Sequence, residues 1–263
     1  MSMTAFRMTH SLPRLSCIAR AMVVGVVCML ATSVFGADFK PDEIVVKLRT
    51  TTALAGIQTQ LSVVQTIQFG SRPIYRLKLP VGSDVNAAIA LITGNTDVLL
   101  AEPNYTPSSP EARGNRAWTV GSPTAYAAQW APPAMRLKEA HLFTRGNGVR
   151  VAVLDTGVDT THPALAGKLL PGYDFVDGDS DPSEVGTPCP PGVTTGCNQG
   201  FGHGTHVAGL IALSAPNAKI VPYRVLDPDG VGNVWVLAEA MQKAIDPDGN
   251  PATDDGAHVI NLS

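Results

Sequence analysis

The sequence predicts an α/β chain: a partial doubly wound parallel sheet, preceded by a small α+β unit of β-α-β-β-α-β order. Three observations lead there. The segment VRVAVL at 149–154 is a nearly continuous apolar strand, which marks burial on both faces of a parallel sheet. After it, strand-like and helix-like segments alternate at the spacing of βαβ units. Before it, short strand segments surround two helix-length stretches, and a proline-rich stretch separates the two halves.

Each element follows from its residues. Residues 1–36 carry Arg7, Arg14 and Arg20 and no acidic residue. The apolar run AMVVGVVCML (21–30) and the small residues of ATSVFGA follow. This is the pattern of a secretory signal peptide, and cleavage after Gly36 would place Val34 and Gly36 at the small-residue positions. The alternative is a single membrane anchor, for which the run is too short to span comfortably. No second apolar run is long enough, so the protein is expected to be secreted, extracellular or periplasmic, with no stable membrane anchor.

The small unit covers 42–105. It reads as a strand at 44–48 (IVVKL), a short helix at 53–61 and a strand near 63–69. A period-two strand follows at 74–79 (IYRLKL), then a helix capped by Asp84 and running through about Ile92. A closing strand at 98–101 (VLLA) is expected to stop at Glu102-Pro103. Residues 106–133 hold Pro107, Pro110, Pro123, Pro132 and Pro133 and read as a protease-sensitive linker at a domain boundary. In 134–263 the strand at 149–154 leads to a helix at 203–213 with Val207, Leu210 and Ile211 on one face. A strand at 220–226, a helix at 233–245 and a strand at 258–262 (HVINL) complete the pattern. Three such strands leave an apolar sheet edge unpaired.

Bulk properties exclude some functions. With 44% hydrophobic and 16% charged residues the chain is too apolar to be disordered. A net charge of -3 gives no reason to expect nucleic acid or an acidic membrane surface as partner. Cys17 and Cys28 leave with the signal. Cys189 and Cys197 bracket CPPGVTTGC, and in an oxidising compartment a local disulfide is the natural reading, two free thiols being the alternative. Two cysteines without CxxC spacing supply only half of a zinc ligand set.

Two motifs carry chemistry. Asp155 ends the buried strand, in VAVLDTGVD, and ligand sites of open α/β sheets lie at such strand ends. Taken alone it could equally cap the following turn. The second is GHGTHVAG at 202–209, where His203 opens a helix between glycines. The glycines admit close backbone approach, and the positive helix end disfavours a protonated ring. A neutral imidazole is what a general base must be, and a carboxylate such as Asp155 could fix its tautomer.

Together, LDTG and GHGTHVAG resemble the subtilisin-like (subtilase) family of serine proteases, whose triad runs Asp, His, Ser. GNGVRVAVLDTGVDTTHPAL, VPYRVLDPDGVGNV and HVINLS agree with that family, and the resemblance covers about 129–263. It implies a sheet of subtilisin type, and it makes the first unit similar to the ferredoxin-like inhibitory propeptide that such enzymes carry. Asp155 would orient the base and His203 would be the base, with His206 and His162 structural. Gly230, Val231 and Gly232 would pair with substrate backbone as an added strand, and Ser263 would sit beside the first specificity pocket. The implied function is a secreted serine endopeptidase acting on proteins or peptides, with its own propeptide as intramolecular inhibitor and no cofactor for catalysis.

The sequence departs from the family in one respect. The family's nucleophile lies in a downstream G-T-S motif, with the oxyanion-hole Asn before it, and residues 1–263 contain neither. Ser214 and Ser263 follow His203 but stand where the family has no nucleophile. The chain therefore holds Asp and His only and is expected to be inactive alone, as the front part of an active protease. The rival reading is a catalytically dead subtilase, or a propeptide-like inhibitor or binding protein.

Calcium is the one structural ion expected. Carboxylates crowd into YDFVDGDSDPSE, and Asp174, Asp179 and Asp181 fall on ligand positions of a loop that some subtilases use; the alternative is a solvated acidic loop. Ala164 stands where another subtilisin calcium site often has Asp. The loop DPDGNPATDDG at 246–256 resembles an incomplete calcium loop and reads as a surface insertion that could bind an ion.

Overall fold

The computed structural model describes residues 38–108, 128–187, 189, 191 and 197–263. The expected signal (1–36) and most of the expected linker (106–133) lie outside them.

The first sheet follows the expected order: β1 (Phe39–Leu48), α1 (Leu54–Leu61), β2 (Gln65–Gln68), β3 (Ile74–Lys78), α2 (Val85–Thr93) and β4 (Val98–Tyr105). The strands lie β2-β3-β1-β4, antiparallel throughout. Alternate residues Ile44, Val46 and Leu48 of β1 face inward with Tyr75 and Leu77 of β3. Ile57 and Leu61 of α1, and Val85, Ala88 and Ile92 of α2, cover them. Asp84 caps α2, its Oδ1 accepting from the backbone N–H of Asn86 and Ala87 at 2.9 and 3.0 Å.

Two boundaries differ from expectation. β1 begins at Phe39, before the predicted Ile44, because Asp42 takes a left-handed φ of 59° and the register shifts between Phe39 and Ile44. That bulge carries the strand through a segment with no alternation to read. β4 runs through Glu102-Pro103 to Tyr105. It is an edge strand, where a residue without an N–H is tolerated.

The second sheet is parallel. After the short helices α3 (Ala131–Ala134) and α4 (Leu137–Ala140) come β5 (Arg150–Asp155), β6 (Tyr173–Asp174), α5 (His203–Ser214), β7 (Lys219–Arg224), α6 (Val234–Ile245) and β8 (Val259–Leu262). The order is β6-β7-β5-β8. The sequence predicted three strands here. The fourth, β6, is two residues long and gives no periodic signal. Val153 packs with Val207, Ala208 and Ala212 of α5, while Ala152 and Leu154 pack with Ala240 and Ala244 of α6. Successive β5 side chains thus meet helices on opposite faces, which is why the strand is apolar at every inner position.

The two sheets meet at α6. Trp235 is buried, with the Phe69 ring edge-on at 5.6 Å and the Arg76 guanidinium 5.5 Å from its ring centre.

Candidate active site

Asp155 is the last residue of β5 and is buried. Its carbonyl accepts from the N–H of Val225 and Leu226, the chain just beyond β7, at 2.8 and 3.1 Å. Its Oδ1 accepts from the N–H of Thr156 at 2.7 Å. Backbone donors therefore hold both the main chain and the carboxylate of this last strand residue. His203, the first residue of α5, is also buried and places Nδ1 2.7 Å from Oδ1 and 2.9 Å from Oδ2 of Asp155. A carboxylate that accepts at Nδ1 holds the proton there and makes Nε2 the basic nitrogen.

Two glycines set this distance. A Cβ at Gly204 would come within 2.0 Å of the Gly157 carbonyl oxygen, so the first turn of α5 rests directly on the turn that follows Asp155. Gly157 itself has a φ of 106°, a conformation side chains disfavour.

The N-cap of α5, Gly202, has no side chain to satisfy the opening N–H groups, so the surroundings do it. The N–H of His203 donates to the Gly200 carbonyl at 3.0 Å, and that of Gly204 to Thr156 Oγ1 at 3.0 Å. Glu184 takes the others: Oε2 accepts from the Gly202 N–H, and Oε1 accepts from the Thr205 N–H and the Thr205 hydroxyl, both at 2.9 Å. The Thr156 hydroxyl also donates to Oε1, at 3.4 Å. Burial and, to a smaller extent, the neighbouring Asp155 push the Glu184 carboxyl above the ordinary glutamate range; the hydrogen bonds oppose this without cancelling it. Sequence reasoning counted Glu184 only as one more acid in a crowded loop. The disulfide-closed loop lies between it and α5, so no local pattern could link the two.

The other candidate residues fall as follows. His206 lies on the exposed side of α5, and loss of hydration together with nearby His203 lowers its pKa. His162 Nδ1 accepts from the Ala164 N–H at 3.3 Å, closing a local turn. Gly230, Val231 and Gly232 form an edge next to a tight turn in which Asp227 Oδ1 accepts from the N–H of Asp229 and Val231 at 3.0 and 2.9 Å. That edge is already paired: Ser108 bridges Val231 in antiparallel sense, and the Gly232 N–H donates to the Pro107 carbonyl at 3.0 Å. Ser263 is exposed just past β8, its hydroxyl donating to Asn261 Oδ1 at 2.7 Å.

Cys189 and Cys197 are joined, with Cα atoms 6.0 Å apart. Just past Cys197, Gly200 rests on the Asp227–Gly232 turn. The Gly200 N–H donates to the Pro228 carbonyl at 2.9 Å, and a Cβ at Gly200 would stand 2.6 Å from the Gly230 nitrogen.

Asp174 and Asp179, two of the expected calcium ligands, pair through their backbones, the Asp174 N–H donating to the Asp179 carbonyl at 2.9 Å. Buried Asp174 directs Oδ2 to Arg224 Nη1 at 2.5 Å, and Asp177 pairs with the same nitrogen. Asp179 Oδ1 accepts from the Asp181 N–H at 2.8 Å, and Asp181 accepts from Ser183. Arg224, the last residue of β7, thus neutralises two of the loop's carboxylates. Among the described residues, the carboxylates that do converge are Asp246, Asp248 and Asp255, with ligand oxygens within 4.8 Å of one another. Asp246 Oδ1 is buried without a hydrogen-bond partner.

Both halves of the chain are similar to known proteins. Residues 146–263 match the model of the subtilase family, and residues 29–104 match that of the fervidolysin N-terminal prodomain. The chain is 37% identical to a thermophilic serine proteinase of Bacillus sp. (strain AK1) over 196 residues, covering 70% of this chain and 41% of that protein. It is 35% identical to thermitase of Thermoactinomyces vulgaris over 156 residues, covering 56% of this chain and 48% of that one. The crystal structure of fervidolysin from Fervidobacterium pennivorans, described as a keratinolytic enzyme related to subtilisin, superposes with a TM-score of 0.60 at 25% identity. It covers 86% of this chain and 36% of the fervidolysin chain. The chain thus spans less than half the length of each of these relatives.

Proposed function

We propose that this chain is the pro-form front part of a secreted serine endopeptidase of subtilisin type, a reading supported by the match of residues 146–263 to the subtilase family model. The observation that carries this reading is the buried Asp155–His203 pair, with Nδ1 2.7 Å from Oδ1 at the C-terminal end of a parallel sheet. In this reading residues 1–36 direct export, and the 42–105 unit with residues 106–108 covers the groove as an intramolecular inhibitor. The match of residues 29–104 to a prodomain model supports that role. Scission in the 106–133 linker would then release the protease.

The chemistry follows from the pair. His203 Nε2 takes the proton of a serine hydroxyl as its oxygen attacks the scissile carbonyl; the imidazolium then gives that proton to the leaving amine. Asp155 holds the ring and stabilises the imidazolium between the two steps. The serine is assigned to sequence beyond residue 263, so residues 1–263 alone are expected to leave peptides intact. The edge at Gly230, Val231 and Gly232 would hold substrate as an added antiparallel strand, the pairing that Pro107 and Ser108 make now. Ser263 would flank the first specificity pocket. Calcium enters only as a structural ion, and Asp246, Asp248 and Asp255 suit it better than the loop at 174–181.

The test uses the reading frame extended past residue 263. The extended protein should hydrolyse a chromogenic peptide and be labelled by a serine-directed fluorophosphonate. Asp155→Asn should reduce kcat by about 10⁴-fold. Peptide binding without hydrolysis or labelling would replace this reading by that of a binding protein.

A further inference from the structure

We propose that Glu184 is a positioning residue for His203: its carboxylate closes the first turn of α5 and offsets the positive helix end, so that the imidazole can carry a proton during turnover. The inference rests on the reading of Asp155 and His203 as the base pair of the site.

Three observations lead to it. First, Glu184 binds the chain on both sides of His203. It accepts from the N–H of Gly202, one residue before, and from the N–H of Thr205, two residues after. A side chain in that position fixes the backbone from which the imidazole projects. Second, Glu184 ties the two halves of the pair together. The Thr156 hydroxyl, next to Asp155, donates to Oε1 while accepting from the Gly204 N–H. The Thr205 hydroxyl donates to the same oxygen and accepts from the Asp159 N–H at 2.7 Å. One carboxylate therefore joins the turn after β5 to the start of α5.

The third observation concerns charge. A helix N-terminus disfavours an imidazolium, and more so where water is excluded. General-base catalysis needs that imidazolium in the middle of each step. A carboxylate on the terminal N–H groups neutralises the unfavourable dipole where it is strongest. Burial makes this carboxylate costly in its ionised form, and an uncharged residue of similar shape would relieve that cost. A charge kept at such a cost beside a buried base pair is the kind of group that functional sites use. Of the titratable groups nearby, Asp155 touches the ring, Glu184 touches the backbone on either side of it, and His206 lies on the same helix.

The experiment reads the imidazole directly. The chain is labelled with ¹⁵N at histidine, and the His203 ring nitrogens are followed against pH by long-range ¹H–¹⁵N spectra. The parent is compared with Glu184→Gln, Glu184→Asp and Asp155→Asn. Glu184→Gln keeps the size and loses the charge, and it should lower the His203 midpoint by about 0.5–1 unit. In the extended enzyme the same variant should lose up to about tenfold in kcat, the rate equivalent of one such unit. Glu184→Asp keeps the charge at a shorter reach and should show a smaller shift of the same sign. A His203 midpoint in Glu184→Gln equal to the parent's within about 0.2 unit overturns the proposal, since a purely structural cap would leave it there. If Glu184→Gln does not fold, Glu184→Ala, which also removes the charge, takes its place: an unchanged midpoint overturns the proposal. Asp155→Asn separates the two readings. A midpoint that ignores Asp155 sinks the base-pair reading itself; one that responds to Asp155 and ignores Glu184 sinks only this inference.

Discussion

Phe69 meets Trp235 edge-on, their ring centres 5.6 Å apart at 80°. One ring belongs to the antiparallel sheet and the other to α6 of the parallel sheet, so this pair is a direct measure of how firmly the two halves hold each other. Trp235→Ala should lower the stability of the chain by about 3–5 kcal/mol, as for other buried aromatic truncations. A double-mutant cycle of Phe69→Leu with Trp235→Leu should return a coupling of about 0.5–1.5 kcal/mol. Denaturant unfolding with zero coupling would show that the halves dock through other residues.

Gly204→Ala tests the contact that brings His203 to Asp155. The new methyl would sit 2.0 Å from the Gly157 carbonyl oxygen, which is backbone and cannot step aside. The first turn of α5 must lift, at a cost of about 1–3 kcal/mol. The resonance of the Nδ1 proton shared with Asp155 should weaken or vanish. Its persistence in Gly204→Ala would mean that the pair does not depend on this approach.

Glu184 predicts a pH dependence with a definite sign. Its folded pKa is raised above its ordinary value of 4.5. A raised value means that the native state binds the proton more tightly than the unfolded chain, so the stability it contributes is full below 4.5 and is lost as pH rises through the raised folded value. The stability difference between parent and Glu184→Gln should therefore change across that window, in the direction that favours the variant as pH rises. Parallel stability–pH curves for the two proteins would contradict it.

Calcium should act on the later acidic loop. Adding calcium should raise the melting temperature, by the mass action of a ligand that binds only the folded state. Asp248→Asn should abolish the rise and Asp179→Asn should leave it. The reverse pattern would return the ion to the 174–181 loop and require Asp174 and Asp177 to leave Arg224.

Breaking the buried ion pair is a separate matter. Arg224→Leu would leave Asp174 buried without its cation, and the expected loss is about 3–5 kcal/mol. A thermal melt unchanged by Arg224→Leu would show that water reaches Asp174.

Much of this was legible in the sequence because the signals were local. VAVLD and GHGTHVAG each carry their own strand or helix start, and the α/β alternation places both at one edge of the sheet. What was illegible depends on pairing across distance. β6 is two residues that join the sheet through β7. The passage of β4 through Pro103 depends on its being an edge. Arg224 claimed Asp174 and Asp177 from a strand far along the chain, and a run of spaced acids looks the same with or without such a partner. Glu184 was hidden for the same reason, since its partners lie beyond the disulfide-closed loop.

The pairing of Pro107 and Ser108 with Gly232 and Val231 has a consequence for competition. A strand attached to the same chain faces the groove at an effective concentration in the millimolar range, whatever the amount of protein in solution. If peptides bind at this edge as proposed, a free peptide would have to exceed that to displace it, and diluting the sample would change nothing. Were the connection beyond Ser108 cut, the same contacts would become bimolecular, and dilution alone would begin to open the edge.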